Sequence, residues 1–516
     1  MATNLSAGKE PLAPTGEYPH LDAILRDDLF RPIVRMNAVG IPEFPMFIGG
    51  KWLYGERTMG VHTPIDGSVV AAVPQASEGL ARAAVDAAVE ARRAIRDIPG
   101  AKRVELFEKA ARLLREHFPA FREALLLEAG KPHHDQEGET KAAVERMLYT
   151  RAEASHIYGD YLPGDWANDT LGKMALVIRE PLGVLACITP FNYPLFIPTA
   201  KIAPALVAGN TVVAKSSSTT PLSLLLLARV LETAGFPPGS LNVATGAGAV
   251  VGETWVKDER VRMVSFTGST EVGRRLHAIG GLKRFHLELG GKAHSMVYDD
   301  ADVPMAAAKS VEGACKNAGQ RCDAVSAVVV VQDVLEEFLE EAAQAAQKWK
   351  VGDPRRPETK MGPMISERAA ARVEGLVAEA TAGGAKVLTG GTRDGTYFSP
   401  TVLRDVTERM RVAREETFGP LVPVLAARDE EDALRIAQTT EYGLDSCVFT
   451  RSFERMWRAA KRIQCGEVTI NDLPKHGIGH FPFGGRRESG LGREGIGYSI
   501  EEMTEPKTIV FNLGPR

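Results

Sequence analysis

Cysteine is scarce in this chain. Cys187, Cys315, Cys322, Cys447 and Cys465 are all there are among 516 residues, an odd number with no C-x-x-C spacing. This excludes a disulfide-stapled framework and a cysteine zinc site, and it points to a reducing, cytoplasmic compartment. Long apolar runs are also missing. No stretch of roughly 18 apolar residues occurs, so no membrane-spanning helix is expected. The first residues lack the apolar core of a secretion signal, and Glu10, Glu17, Asp22, Asp27 and Asp28 run against the acid-poor composition of a transit peptide. Neither sign of charge dominates: Lys and Arg number 62 against 66 Asp and Glu, a formal net charge of −4. A nucleic-acid partner therefore has no electrostatic footprint here, and no metal is expected.

What is present is bulk and alternation. A chain of this length folds as two or three packed units. Residues 1 to about 45 are rich in Pro, Gly and charge, with an apolar stretch from Leu21 to Val34 that could dock as a helix. Helical periodicity follows over 80–97 and from Val104 to Ala129. Residues 150–180 mix turn signals with β-like runs, as an arm outside the compact units would. Then strand and helix patterns alternate: Val184–Ile188, helix 195–207, Thr211–Ala214, helix 221–234, Leu241–Ala244, helix 248–256, Met263–Phe266, helix 269–279 and Phe285–Leu289. That order predicts a doubly wound parallel sheet, which gathers ligands at the carboxyl ends of its strands. A second α/β unit is expected from Gly291 to about residue 475. A last strand, 507–512, has no local partner and is free to pair with the 150–180 arm or another subunit.

The formal G-x-G-x-x-G at Gly490–Gly495 follows no strand and is read as a turn. Gly268-Ser-Thr-Glu-Val-Gly273 has a strand before it and a helix after it, so its amides could face a diphosphate. Cys322 lies in a polar segment beside Arg321, where a thiolate is favoured; a small buried residue is the plain alternative, and Cys315 on an apolar helix is read that way. Glu288 ends an apolar strand, where burial lifts a carboxylate toward the range of a general base; an ion pair with Lys283, Arg284 or Lys292 is the alternative. Asn192, between prolines in a strand-end loop, is either an oxyanion-binding amide or a simple turn residue.

Taken jointly these segments resemble the aldehyde dehydrogenase superfamily from about residue 45 onward. Thr189-Pro-Phe-Asn-Tyr-Pro194, Lys201, Lys215, Phe266-Thr-Gly-Ser-Thr270, Leu287-Glu-Leu-Gly-Gly-Lys292, Gly319-Gln-Arg-Cys322, Glu416-Thr-Phe-Gly-Pro420 and Phe481-Pro-Phe-Gly-Gly485 stand in the family's order and spacing. The resemblance implies an aldehyde dehydrogenase-like α/β fold with two doubly wound parallel-sheet domains and a small β oligomerisation arm. Residues 1–45 would be an N-terminal extension, 46–155 and 175–290 the dinucleotide-binding domain, 291–478 the catalytic domain, and 156–174 with 495–516 the arm. It implies a catalytic set of Cys322 as nucleophile, Glu288 as base, Asn192 as oxyanion donor and Lys201. Thr189, Pro190, Lys215, Ser218, Gly268, Ser269, Gly273, Leu289, Glu416 and Phe418 would line the dinucleotide. Many NAD-preferring members carry glutamate where Ser218 stands, so NADP is expected to be accepted and preferred over NAD.

Within the superfamily the chain is similar to archaeal-type non-phosphorylating glyceraldehyde-3-phosphate dehydrogenases. The segments 159–166, Asn471-Asp-Leu-Pro-Lys-His-Gly-Ile-Gly479 and Glu494-Gly-Ile-Gly-Tyr498, followed by Lys507-Thr-Ile-Val-Phe-Asn512, carry that similarity. It implies a small anionic aldehyde as substrate, with glyceraldehyde 3-phosphate first, bound by Tyr193, Arg321, Lys475 and His476, in a homotetramer or homodimer. Arginine suits this role because its planar fork matches phosphate and carboxylate. Two other readings stand beside it. A CoA-acylating semialdehyde dehydrogenase would also place Arg before its nucleophile but lacks the glutamate, and a silent protein of the same fold would lack a nucleophile, base or oxyanion amide.

Overall fold

The computed structural model describes residues 21–476 and 480–514. Residues 1–20 of the extension, 477–479 of the Asn471 segment and 515–516 lie outside the described residues. Two large sheets form the body. The first has eight strands in the order Gly490–Leu491, Arg284–Glu288, Val261–Thr267, Val184–Ile188, Thr211–Lys215, Leu241–Val243, Met46–Ile48 and Lys51–Leu53. Its centre is parallel and its edges antiparallel. Val184–Ile188 and Thr211–Lys215 are buried along their whole length, as strands covered on both faces must be.

The second sheet has seven strands: Lys386–Thr389, Thr401–Arg404, Leu421–Ala427, Val325–Val331, Ala293–Val297, Asp445–Phe449 and Glu467–Ile470. It is parallel except at the Lys386–Thr389 edge. The residues between Glu288 and Ala293 run directly from one sheet to the other, so the two sheets meet at Glu288.

A third, antiparallel sheet joins Thr504–Asn512 to Lys173–Pro181 and Asp160–Pro163, in register from Thr504 opposite Pro181 to Asn512 opposite Lys173. The C-terminal strand thus pairs with the 150–180 arm. A four-stranded sheet of Arg35–Met36, Pro42–Glu43, Val69–Pro74 and Thr58–His62 is unforeseen by periodicity.

The helices follow their caps and breakers. Glu78–Arg96 starts at Ser77, whose hydroxyl accepts from the Leu80 amide, and it buries Ala81, Ala84, Val85, Ala88, Ala91 and Ile95. The helical pattern from Val104 to Ala129 is two helices, Gly100–Glu116 and Phe118–Ala129. Pro119 lies in the first turn of the second, where a proline ring costs least because no intrahelical donor is lost. The stretch from Leu21 does dock as a short helix, Asp22–Arg26, with the Ala23 and Ile24 amides donating to the Glu123 carboxylate. Gly490–Leu491, within the rejected glycine string, adds an edge strand beside Leu287 and Glu288.

Candidate active site

The carboxyl ends of the first sheet's strands converge as their order demands. Thr189, Lys215, Gly268 and Glu288 each end or follow a parallel strand. The Thr189 amide donates to the Lys215 carbonyl at 2.9 Å, and the Gly268 amide donates to the Glu288 carbonyl at 3.0 Å. Pro190 and Tyr193 are half-buried in the following loop, and the Tyr193 ring lies under the Lys131 ammonium at 3.7 Å.

Cys322 arrives from the second unit on a loop with unusual backbone. Asn317 and Ala318 have φ of 52° and 53°, and Gly319 has 70°. Left-handed geometry at two side-chain-bearing residues costs about 1–3 kcal/mol each and persists only where neighbours enforce it. Asn192 supplies the enforcement. Its Nδ2 donates to the Gln320 carbonyl at 2.9 Å, while Asn317 Nδ2 donates to the Asn192 carbonyl at 3.2 Å. The Gln320 side chain accepts from the Ile365 amide at 2.8 Å. From the other side Gly291 presses on the same loop; a Cβ there would stand 2.3 Å from the Cys322 carbonyl oxygen, so only glycine permits the approach.

The Cys322 thiol is pushed well above its ordinary value, first by burial and then by Asp323, Asp445 and Glu288, with Arg321 opposing. Glu288 is almost fully buried; among the described residues neither carboxylate oxygen has a hydrogen-bond partner, and His286 Nε2 stands 3.2 Å from Oε1. Burial raises its pKa and His286 lowers it. Lys201 is buried too, with Nζ 2.6 Å from Glu494 and 3.2 Å from the Ser265 hydroxyl. Cys322, Glu288 and Asn192 are therefore gathered at one junction, and Lys201 adjoins it through Glu494.

The remaining cofactor candidates line the strand ends. Lys215 is buried, its pKa lowered to about 8 by desolvation, and its Nζ donates only to the Ser216 carbonyl, at 2.7 Å. The Ser218 hydroxyl donates to the Gly246 carbonyl at 2.9 Å, just ahead of the helix Gly248–Lys257. Ser269 caps the helix Thr270–Ile279 by accepting from the Val272 amide. Gly273 lies so close to Leu289 that a Cβ would come within 2.4 Å of it. Glu416 accepts from the Gly291 amide at 3.2 Å, with burial raising its pKa. Phe418, at a φ of 46°, meets Phe191 edge to face.

The cations marked for the substrate are all partnered by carboxylates. Arg321 grips Asp323 through Nε at 3.1 Å and Nη2 at 2.5 Å, and also donates to the Pro474 carbonyl; its buried Nη1 has no partner. Lys475 is half-exposed and pairs with Asp472 at 2.7 Å. His476 stacks on Phe483, donates its amide to Asp323, and holds Glu494 at 3.0 Å through Nε2. Sequence reasoning missed four residues: His286, Glu502, Asp445 and the role of Glu494 as a hub. His286 shares a strand face with Glu288, a period-two signal that was available. Asp445 begins its strand with both oxygens buried and unbonded, and nothing in the sequence marked it.

Two α/β units thus meet at a cysteine, a carboxylate and a carboxamide. Residues 52–509 match the model of the aldehyde dehydrogenase family, and the chain belongs to it. It is 38% identical over 488 residues to the NADP-dependent succinate-semialdehyde dehydrogenase of Escherichia coli, covering 93% of this chain and 100% of that one. The mitochondrial succinate-semialdehyde dehydrogenase of Arabidopsis thaliana is 37% identical over 483 residues, 92% of this chain and 90% of the relative. Among solved structures, the NADP-dependent glyceraldehyde-3-phosphate dehydrogenase of Bacillus halodurans in complex with NADP superposes with a TM-score of 0.89. It is 36% identical and covers 91% of this chain and 99% of the other. No helix among the described residues is long and apolar enough to cross a membrane.

Proposed function

We propose that this enzyme oxidises a small anionic aldehyde to its carboxylate with NADP or NAD, with glyceraldehyde 3-phosphate as first candidate and succinate semialdehyde beside it. One observation carries the chemistry. The loop bearing Cys322 is tied to the strand-end loop of the other unit by the Asn192 amide, with an unbonded, buried Glu288 acting electrostatically on the same thiol.

At rest the thiol is protonated, because burial and three carboxyl groups disfavour its anion. A base must take that proton, and Glu288 ends its strand at the junction with neither oxygen hydrogen-bonded among the described residues and Oε1 within ion-pair reach of His286. The thiolate then adds to the aldehyde carbon. Asn192 Nδ2 has one hydrogen on Gln320 and a second for the oxyanion, and the Cys322 amide supplies another donor. When bound, the dinucleotide supplies the hydride acceptor. Once Glu288 has passed the thiol's proton on to solvent, the thioester left on Cys322 is attacked by water whose proton goes to Glu288, and the acid departs as the thiolate is released.

The cofactor cradle fits this reading. Among the described residues the Lys215 ammonium donates to the Ser216 carbonyl alone, and Ser218 brings no carboxylate, so the ammonium can meet a 2′-phosphate. Glu416 and Phe418 would hold the nicotinamide end. In this reading the unit around the eight-stranded sheet is the dinucleotide-binding domain, and the unit around the seven-stranded sheet is the catalytic domain. The antiparallel sheet is an oligomerisation arm, which exposes Tyr161 and Val510 at 61% each for a second copy of the chain in a homodimer or homotetramer.

Arg321 is the residue that selects the anion. Asp323 fixes its fork and leaves Nη1 as a buried donor in need of an acceptor. Arg321→Leu, assayed with glyceraldehyde 3-phosphate, succinate semialdehyde and unphosphorylated glyceraldehyde, should lose about 10- to 200-fold in kcat/KM on the two anions, the worth of a charge-assisted contact of about 1.5–3 kcal/mol. The neutral aldehyde should lose much less. Equal losses on all three would overturn the anionic-substrate assignment.

A further inference from the structure

The strand that delivers Glu288 delivers a second buried titratable group on the same face. His286 is 2% exposed and stands among three carboxylates. Its Nε2 lies 3.2 Å from Glu288 Oε1 and 3.8 Å from Glu494 Oε1, and its Nδ1 lies 2.6 Å from Glu502 Oε2. Glu502 ends the helix Ile496–Glu502 and is itself fixed, its other oxygen accepting from the Arg493 amide at 2.8 Å. The clamp therefore joins the base to the last helix before the C-terminal strand.

We infer that His286 is a positioning residue for the general base: pinned by Glu502 on one ring nitrogen and facing Glu288 with the other, it favours the carboxylate form of Glu288 at the junction with Cys322. This rests on the proposed role of Glu288 as base. The groups facing His286 are Glu288 on its own strand, Glu494 from the loop before the last helix, Glu502 from that helix, and Lys201 from the helix Phe196–Val207. Arg284, two residues earlier, turns to the Glu502 and Thr504 carbonyls instead. Carboxylates outnumber the opposing ammonium, and Lys201 is itself engaged by Glu494. Burial alone would strip the imidazole of its proton, but Glu288 and Glu502 reverse this and lift it to about 9. For Glu288 the ledger runs the other way: burial and Glu494 favour its acid form, and the His286 cation is the main force for the carboxylate.

The sign of the effect follows. A carboxylate that loses a neighbouring cation binds its proton more tightly, so the base becomes available only at higher pH. In His286→Ser the acid limb of the kcat profile should move up by about one to three pH units, the range for an opposite charge at this distance. Turnover near neutral pH should fall by about 10-fold or more while KM for the aldehyde changes little. His286→Lys, which restores a cation, should bring the limb back toward the parent. Glu502→Gln, which removes only the clamp, should give a smaller shift in the same direction. A merely structural histidine would lower the whole profile without moving its limb.

Two controls separate the failures. If Glu288→Gln still turns over normally, the base assignment itself falls. If Glu288→Gln is crippled while His286→Ser keeps the parental acid limb, the base stands and the positioning role is overturned. Should the serine variant not fold, nitrogen-15 NMR of the histidines in the parent enzyme decides: an imidazolium at position 286 at pH 7.5, titrating roughly two units above an ordinary histidine, is expected, and a neutral ring there refutes the inference.

Discussion

The active-site junction and the antiparallel arm break the usual partition of residues in opposite directions. At the junction, charge goes inside: Lys201, His286, Glu288, Arg321, Asp323 and Glu494 are each at most 5% exposed. In the arm, apolar surface stays outside: Trp166 is 87% exposed, Leu513 61% and Val510 61%. Buried charge is costly unless paired, and it survives at the junction because each cation has a carboxylate within ion-pair reach. Among the described residues Glu288 and Asp445 have no hydrogen bond to either oxygen, and of the two Glu288 has a cation in reach, His286 at 3.2 Å. The arm makes the opposite concession, and exposed apolar surface of this kind is a mark of interaction sites. The contrast is between a junction that keeps uncompensated polar atoms inside and an arm that keeps apolar side chains outside.

The sharpest way to break the comparison is to remove the junction's proposed nucleophile and leave its packing alone. Cys322→Ala should lower aldehyde oxidation by on the order of 10⁴-fold or more, because no other group at the junction can carry the thioester. Dinucleotide affinity and assembly should stay near the parent, measured by calorimetric titration and light scattering. Retained turnover would mean that the junction does not work through this thiol.

A milder change sharpens the cofactor side. Ser218→Glu places a carboxylate near Lys215, which would pair with the ammonium and repel a 2′-phosphate. The kcat/KM for NADP should drop by about 10- to 100-fold while that for NAD holds or rises, because like charges a few ångströms apart cost roughly 1–4 kcal/mol at the edge of a protein. An unchanged preference would detach Ser218 from the adenosine ribose.

Much of both regions was legible before any coordinates. The buried strand Val184–Ile188 announced itself because a β-branched apolar run between turn signals has few other conformations. Glu288, Asn192 and Cys322 were legible only jointly, from the order and spacing of several short segments. The helix His133–Glu153 was hidden because its buried face includes Asp135, Gln136, Glu139, Thr140 and Arg146, so apolar periodicity never shows. The strands Arg35–Met36 and Pro42–Glu43 are too short to carry a period. The clamp on His286 was out of reach for another reason: its closest contact, to Glu502, joins residues 216 apart in the chain. Local pattern reports which face a side chain occupies, but tertiary closure decides what it meets.

The smallest effect on catalysis should come from the arm, and that is why it tests the comparison best. Val510 lies on the outer strand of the antiparallel sheet, paired with Ala175 through its backbone and 61% exposed through its side chain. A carboxylate there leaves that backbone ladder intact, since any residue in extended conformation can make the same hydrogen bonds. It would, however, place a charge in any apolar interface that the sheet forms, where an unpaired ion is strongly unfavourable. Val510→Asp should therefore shift the particle toward the monomer in light scattering at micromolar concentration. Its kcat for the aldehyde should stay within a few-fold of the parent, because every group of the junction comes from the same chain. If the mass is unchanged, the exposed face is not the assembly surface. If the mass falls and turnover collapses with it, the two regions are coupled, and the helix ending at Glu502, two residues before the C-terminal strand begins, is the element through which loss of the arm's partner would reach His286 and the base.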